Sequence, residues 1–255
     1  MTTRVAIVTG ANKGIGSAIV ETLCKQFDGD VILTGRSEER CKAAVAQLQE
    51  KGLSPKYYTL DIDDSSSITK LKEFVNDNYG GIDILVNNAG ISNKVGTIGE
   101  RATTTCGTNY FGTLNVCNTL FPLLKPHARV VNVSSMASQE AISKCSEEMR
   151  SKFKQPNITM DELTALIQQF IDAAQNDDHE KQGFFLKPYG MSKLEEDIIV
   201  NACCPGYVAT DMTLNKGPKT KMQGADTPVY LALLPPGTSS PKGDFVSERT
   251  IENWG

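Results

Sequence analysis

Val5-Ala6-Ile7-Val8 is an unbroken apolar run, followed at once by Thr9-Gly10-Ala11-Asn12-Lys13-Gly14-Ile15-Gly16. The run reads as a parallel strand covered on both faces. Ile15, Ala18, Ile19, Thr22, Leu23 and Phe27 then recur at helical spacing. Strand, glycine turn and helix form an opening that few folds share, because each glycine answers a different steric demand. Gly10 permits the tight turn. Gly14 lets backbone approach a pyrophosphate, and Gly16 lets the helix lie close to the strand, leaving free N–H groups at the helix start aimed at phosphates. Gly-rich turns also occur as plain connections, so the rest of the chain decides between the two readings.

The alternation continues. Asp30–Gly35, Lys56–Leu60, Ile82–Val86 and Arg129–Val133 read as strands, separated by helical patterns over Ser65–Tyr79 and around Ala102–Leu124. Ser65 to Ser67 are expected to cap the third helix, and Pro122 and Pro126 to bracket the end of the long one. This is the signature of a doubly wound parallel sheet of Rossmann type, an α/β fold. From Gln139 to Lys187 the alternation stops. Helix-prone sequence replaces it, with Leu163, Leu166, Ile167, Phe170 and Ile171 on one face of Met160–Ala174. The chain is therefore expected to be one catalytic domain over residues 1–255, with a helical insertion at about 139–187.

A chain of 255 residues with 40% hydrophobic content suits one sizeable core. A net charge of −4 without a basic cluster makes nucleic acid or an anionic membrane an unnatural partner. Seven cysteines without framework spacing, no signal-like N-terminus and no long apolar stretch lead to the expectation of a reducing compartment, the cytoplasm. His127 and His179 stand apart from one another and from ligand-spaced cysteines, so no metal is expected.

The second expected strand ends where a ribose-binding carboxylate would stand in an NADH site, but the residue there is Arg36. A guanidinium pairs with a 2′-phosphate, and Lys13 in the glycine turn adds a second cation, so both residues point to NADPH. Alternatively, Arg36 merely opens the next helix, neutralised by Glu38 and Glu39.

Carbonyl reduction by hydride needs a proton for the oxygen. Tyr189 and Lys193, four residues apart, would share a helical face on which the ammonium lowers the phenol's pKa. Lowering it from about 10 to about 7 takes roughly 4 kcal/mol. A cation at 4 Å supplies about 1 kcal/mol in water and about 4 at an effective dielectric near 20, so solvent must be excluded by a bound cofactor. Ser135, after Val130-Val131-Asn132-Val133, is placed to hold the substrate oxygen.

Thr9-Gly10-x-x-x-Gly14-x-Gly16, Asn87-Asn88-Ala89-Gly90, Asn109, Ser135, Tyr189-x-x-x-Lys193 and Pro205-Gly206, in that order, resemble the short-chain dehydrogenase/reductase family. Gly52-Leu53-Ser54-Pro55, Leu60-Asp61-Ile62-Asp63-Asp64, Asn201-Ala202-Cys203-Cys204-Pro205-Gly206 and Thr227–Pro236 are similar to its NADPH-dependent carbonyl reductase branch. The resemblance implies Tyr189 as proton donor, Ser135 positioning the carbonyl, Lys193 binding nicotinamide ribose, and Asn109 supporting a water relay. It implies an NADPH site built from Gly10, Asn12, Lys13, Gly14, Ile15, Gly16, Arg36, Asp61, Ile62, Asn88, Ala89, Gly90, Tyr189, Lys193, Pro205, Gly206, Val208 and Thr210. Substrates would be small carbonyl compounds (quinones, aldehydes and ketones) bordered by Ser135, Met136, Tyr207 and Cys204. It further implies a monomer, since the branch's insertion covers the family's common dimer face. The branch has a cysteine that can contact glutathione conjugates, while a buried Cys203 or Cys204 would act as a small hydrophobe.

One departure stands out. Only Leu194, Glu195, Glu196 and Asp197 separate Lys193 from the apolar Ile198-Ile199-Val200, where the family has a long helix. Gly190 to Asp197 span about 12 Å as helix, against about 17 Å for a five-residue strand, so the return leg is short. Two readings follow: an active NADPH-dependent carbonyl reductase whose sheet tolerates the loss, or a catalytically weakened variant that keeps nucleotide binding.

Overall fold

A computed structural model describes residues 3–155, 157–193 and 201–252. One eight-stranded sheet organises them, in the order β3-β2-β1-β4-β5-β6-β7-β8. The strands are β1 (Val5–Val8), β2 (Asp30–Gly35), β3 (Lys56–Thr59), β4 (Ile82–Asn87), β5 (Leu124–Val133), β6 (Asn201–Cys204), β7 (Phe245–Ser247) and β8 (Thr250–Ile251). Every pairing is parallel except β7 with β8. Val8 pairs with Leu33 and Val86, Asn87 with Asn132, and Val133 with Cys203, so β1, β4, β5 and β6 end level along one edge.

Helices cover both faces. On one side α1 (Gly14–Gln26), α2 (Glu38–Gln49) and α10 (Lys221–Ala232) close a core around Val8, Ile19, Leu23, Leu33 and Leu231. On the other, α3 (Ser65–Tyr79) and α5 (Thr113–Leu120) close one around Ile7, Ile68, Leu71, Leu85 and Leu120. A third cluster lies beside the sheet. It gathers Ala102 and Cys106 of α4 (Ile98–Cys106), Ala141 and Ile142 of α6 (Met136–Ser143), Met149 of α7 (Glu147–Phe153), Leu163, Ile167 and Phe170 of α8 (Met160–Gln175), and Met191 of α9 (Pro188–Met191). The helix-prone stretch thus packs as part of the molecule, and its expected start at Gln139 falls inside α6.

Several boundaries differ from the sequence reading. The long helix around Ala102–Leu124 is instead α4, a π-helical turn over Gly107–Gly112, α5, and a 3-10 turn over Phe121–Leu123. It starts at Ile98 because Thr97 and Glu100 form a reciprocal capping box. The cap of α3 is Asp64, whose side chain accepts from the Ser66 N–H, rather than Ser65 to Ser67. β5 begins at Leu124 and is irregular, with Ile82 pairing Leu124 but Ile84 pairing Arg129; Pro126 and the positive φ of His127 sit inside that irregularity and disguise it as a turn. The expected strand residues Ile198–Val200 lie outside the described residues, as does the segment Leu194–Asp197.

Phe170 is fully buried in the third cluster and stacks edge-on to Phe184. Phe170→Ala should destabilise the protein by about 3–5 kcal/mol in urea unfolding. A loss below about 1 kcal/mol would show that this stretch is not part of the cooperative core.

Candidate active site

The glycine turn is shaped by contact with the end of β4. Gly10 has φ +60°, and a Cβ there would lie 2.7 Å from Ala89 Cα. A Cβ on Gly16 would meet Asn88 Nδ2 at 2.4 Å and Ala11 Cα at 2.8 Å. Asn88 locks this approach, donating through Nδ2 to the Thr9 carbonyl at 2.9 Å and the Gly10 carbonyl at 3.1 Å. Thr9 Oγ1 accepts from the Asn88 and Ala89 amides at 3.0 Å each. In contrast to α2, α3, α4, α6, α7, α8 and α10, helix α1 has no side-chain cap, and no acidic residue lies in its first turn. Its first N–H groups are left for an anion.

A cleft of about 480 Å³ opens at this turn and runs across the strand ends. Gly10, Asn12, Lys13, Gly14, Ile15, Gly16, Arg36, Asp61, Ile62, Asn88, Ala89, Gly90, Tyr189, Lys193, Pro205 and Thr210 all line it. Gly206 and Val208 are not among the lining residues. Val208 is buried and packs against α10, where a Cβ on Gly224 would meet its Cγ2 at 2.6 Å, while Gly206 turns the chain at φ +80°. Arg40, Ser37, Asp63, Thr108, Ser134, Asp211, Met212 and Lys221 also line the cleft and were not expected. Arg40 had a signal in the sequence, lying one helical turn beyond Arg36.

Tyr189 sits on α9, and Ser135 caps α6 with its Oγ accepting from the Ala137 N–H. The two helices touch without an intervening side chain: a Cβ on Gly190 would lie 2.4 Å from the Ala137 carbonyl oxygen and 2.7 Å from Ala141 Cβ. This contact brings the Tyr189 phenol close enough to Ser135 for the serine to act on its ionisation. Burial pushes the phenol up to about 12, Cys204 adds to the rise, and Ser135 opposes it. The lowering expected from Lys193 therefore does not prevail in this geometry, because desolvation is the larger effect.

Lys193 is buried, with Nζ donating to the Val133 carbonyl at 3.0 Å and its own carbonyl accepting from Ser134 Oγ at 2.6 Å. It lies in a turn beyond α9 rather than on a continuous helix with Tyr189. Asn109, in the π-helical turn, clamps this turn to the chain after β4. Its Oδ1 accepts from Ile91 N at 2.7 Å, and its Nδ2 donates to Ile91 O and Ser192 Oγ, each at 2.9 Å. Gly90 fits between Asn109 and Lys193, where a Cβ would lie 3.1 Å from Asn109 Oδ1 and 3.3 Å from Lys193 Nζ.

Ser135, Met136, Tyr207 and Cys204, expected at the substrate, are not among the residues lining the cleft; Met136 and Tyr207 are 41% and 53% exposed, whereas Cys204 is 6% exposed, its sulfur accepting from the Met136 and Gly206 amides. The residues fit a dinucleotide: a bare helix start at a glycine turn, three cations in Lys13, Arg36 and Arg40, and an elongated cleft ending at Tyr189 and Lys193.

Comparison with known proteins agrees with this arrangement. Carbonyl reductase (NADPH) 1 of Homo sapiens is 47% identical over 271 aligned positions, covering 98% of each chain, and carbonyl reductase (NADPH) 3 of Rattus norvegicus is 44% identical with the same coverage. Among solved structures, salutaridine reductase from Papaver somniferum superposes with a TM-score of 0.85 at 26% identity, covering 95% of this chain and 99% of that one. The profile of the short chain dehydrogenase family matches residues 4–159, and with that match and these relatives the chain belongs to the short chain dehydrogenase family.

Proposed function

We propose that this protein is an NADPH-dependent carbonyl reductase acting on small quinones, aldehydes and ketones. The observation that carries the reading is a cleft that runs from a bare helix start and cations to Tyr189 and Lys193, with Ser135 acting on the Tyr189 phenol. NADPH supplies the hydride. Arg36, Arg40 and Lys13 hold its 2′-phosphate, the α1 N–H groups its diphosphate, and Lys193 its nicotinamide ribose.

Tyr189 gives its proton to the substrate oxygen as the carbonyl carbon is reduced. A phenol held un-ionised by burial arrives with that proton in place. Ser135 donates to the same oxygen and stabilises negative charge developing there. Asn109 is a positioning residue. Both Nδ2 protons go to Ile91 and Ser192, so the water relay that the resemblance implies would draw on the Asn109 carbonyl oxygens. Met136 and Tyr207 form the apolar rim. Cys204 is a packed thiol whose sulfur accepts from two backbone amides, which supports the small-hydrophobe role over contact with glutathione conjugates.

A monomer is the supported state, because α8 lies on α4: a Cβ on Gly99 would meet Gln175 Cα at 2.7 Å, and Gln175 donates to Thr103 Oγ1 at 2.9 Å. The seven cysteines show no framework spacing, which supports a reducing compartment such as the cytoplasm.

The unmodified protein should oxidise NADPH in the presence of menadione; nucleotide binding without turnover would favour the weakened variant instead. Tyr189→Phe should lower kcat about a hundred- to ten-thousandfold with NADPH affinity nearly unchanged, and retained turnover would remove Tyr189 from its role. Arg36→Asp should raise the Kd for NADPH by about ten- to a hundredfold and leave NADH far less affected; an unchanged cofactor ratio would refute the phosphate contact. The Tyr189 phenol should remain un-ionised at pH 10 without nucleotide, since its folded value lies near 12. The phenolate absorbance of the unmodified protein and of Tyr189→Phe should then coincide at pH 10, where an ordinary phenol is about half ionised. A full half-phenolate difference would show that burial does not control this group.

A further inference from the structure

The cations of the nucleotide cleft are not equally available. Among the described residues, neither Arg36 nor Arg40 has a carboxylate within ion-pair distance. Lys13 does: its Nζ lies 2.6 Å from Asp211 Oδ2, across 198 residues of sequence, and both residues line the cleft. We propose that Asp211 is a cofactor-selectivity residue, whose carboxylate occupies Lys13 in the nucleotide-free protein and competes there with the 2′-phosphate that distinguishes NADPH from NADH. The inference rests on reading the cleft as an NADPH site.

The pair is built to yield. Its side chains are 60% and 67% exposed, so solvent screens it, and it holds Lys13 only by a factor of about 1.4 to 5. A phosphate with nearly two negative charges and three acceptor oxygens is the stronger partner for one ammonium. Sharing Lys13 is disfavoured, because the carboxylate would then stand beside the phosphate. The turn that carries Asp211 does not depend on the pair. Thr213 Oγ1 donates to the Val208 carbonyl at 2.6 Å, and Lys94 Nζ donates to the Met212 carbonyl at 3.2 Å, so both contacts persist when Asp211 lets go. Lys221 also lines the cleft and acts on Asp211 through space, which gives the released carboxylate a second cation to face.

The competition costs NADPH affinity and leaves NADH, which has no 2′-phosphate, largely untouched. Asp211 thus narrows the preference that Arg36, Arg40 and Lys13 create. Because the competitor is part of the chain, its effect does not depend on protein concentration.

Fluorescence titration of the full chain with NADPH and with NADH tests this, using the unmodified protein, Asp211→Asn, Lys13→Ala and the double variant. Asp211→Asn should tighten NADPH about two- to sixfold and raise the NADPH-to-NADH preference by nearly the same factor. In the Lys13→Ala background the same change should leave the preference where it was. Asp211→Glu, which keeps the carboxylate, should stay within about twofold of the unmodified protein. Unchanged or weakened NADPH binding in Asp211→Asn, equal tightening of both nucleotides, or an effect that persists without Lys13 would each overturn the proposal. An unmodified protein that binds NADPH no better than NADH would instead overturn the cofactor reading.

Discussion

The site depends on two helices that touch with no side chain between them. Ser135 is fixed twice, as the second residue after the end of β5 and as the cap of α6, so it cannot move to meet a partner. Tyr189 must come to it. The missing Cβ of Gly190 allows this, since any side chain would drive α9 away from the Ala137 carbonyl, 2.4 Å from where that Cβ would sit. Pressure from the other side completes the fit. Met191, Cys106 and Phe184 belong to the cluster built by α4, α6, α7 and α8, so the helical stretch ahead of Tyr189 acts as a brace for the proton donor.

That brace has an electrostatic consequence. Close packing removes water from the phenol, and the ionised form loses more than nearby groups return. Moving such a group from about 12 to about 7 would require roughly 7 kcal/mol, whereas an ammonium at 4 Å in a medium of effective dielectric 20 supplies about 4. A phenol kept un-ionised has its proton in place, but its raised pKa makes it the weaker acid, so proton transfer depends on the charge that develops on the substrate oxygen beside it. Lys193 stands apart from this balance through its bond to the Val133 carbonyl, which holds its ammonium against the sheet edge at the nucleotide side.

The parts of the structure that were legible in the sequence are those with local physical causes. The apolar run of Val5–Val8 and the glycine turn announce β1 and α1 because burial and backbone sterics act within a few residues. The boundaries of α3 are readable from its periodicity, although its cap is Asp64, one residue before the expected serines. Tyr189 and Lys193 are paired by their spacing, Arg36 and Ser135 are marked by their places after apolar strands, and the four join as a set only through the family resemblance. Features that arise from contacts between distant segments were not legible. Nothing local marks Gly190 as the meeting point of two helices, or Lys13 as the partner of a carboxylate 198 residues away. The π-helical turn at Gly107–Gly112 was hidden for the same reason: it exists where Asn109 must reach Ile91 and Ser192 together, a demand that helical periodicity does not express.

The short connection after Lys193 is best judged by distance. The alignment with the human relative spans 271 positions for a chain of 255 residues, so at least 16 of them have no residue here. Yet β6 begins only at Asn201, opposite Val131, and Lys193 is held at Ser134, three residues farther along β5. The chain must therefore return only about 10 Å along the sheet, and the eight steps from Lys193 to Asn201 reach at most about 26–29 Å. Closure of the sheet needs no long helix. Among the described residues, Ala202, Cys204 and Phe245 cluster beside β6 and β7. The chemistry lies at the strand ends. Ser135, Tyr189, Lys193 and Asn109 take their positions from β5, α6, α9 and the turn before α5, none of which requires a helix after Lys193. A loss of stability is thus separable from a loss of catalysis, and the geometry favours an active enzyme over a weakened one.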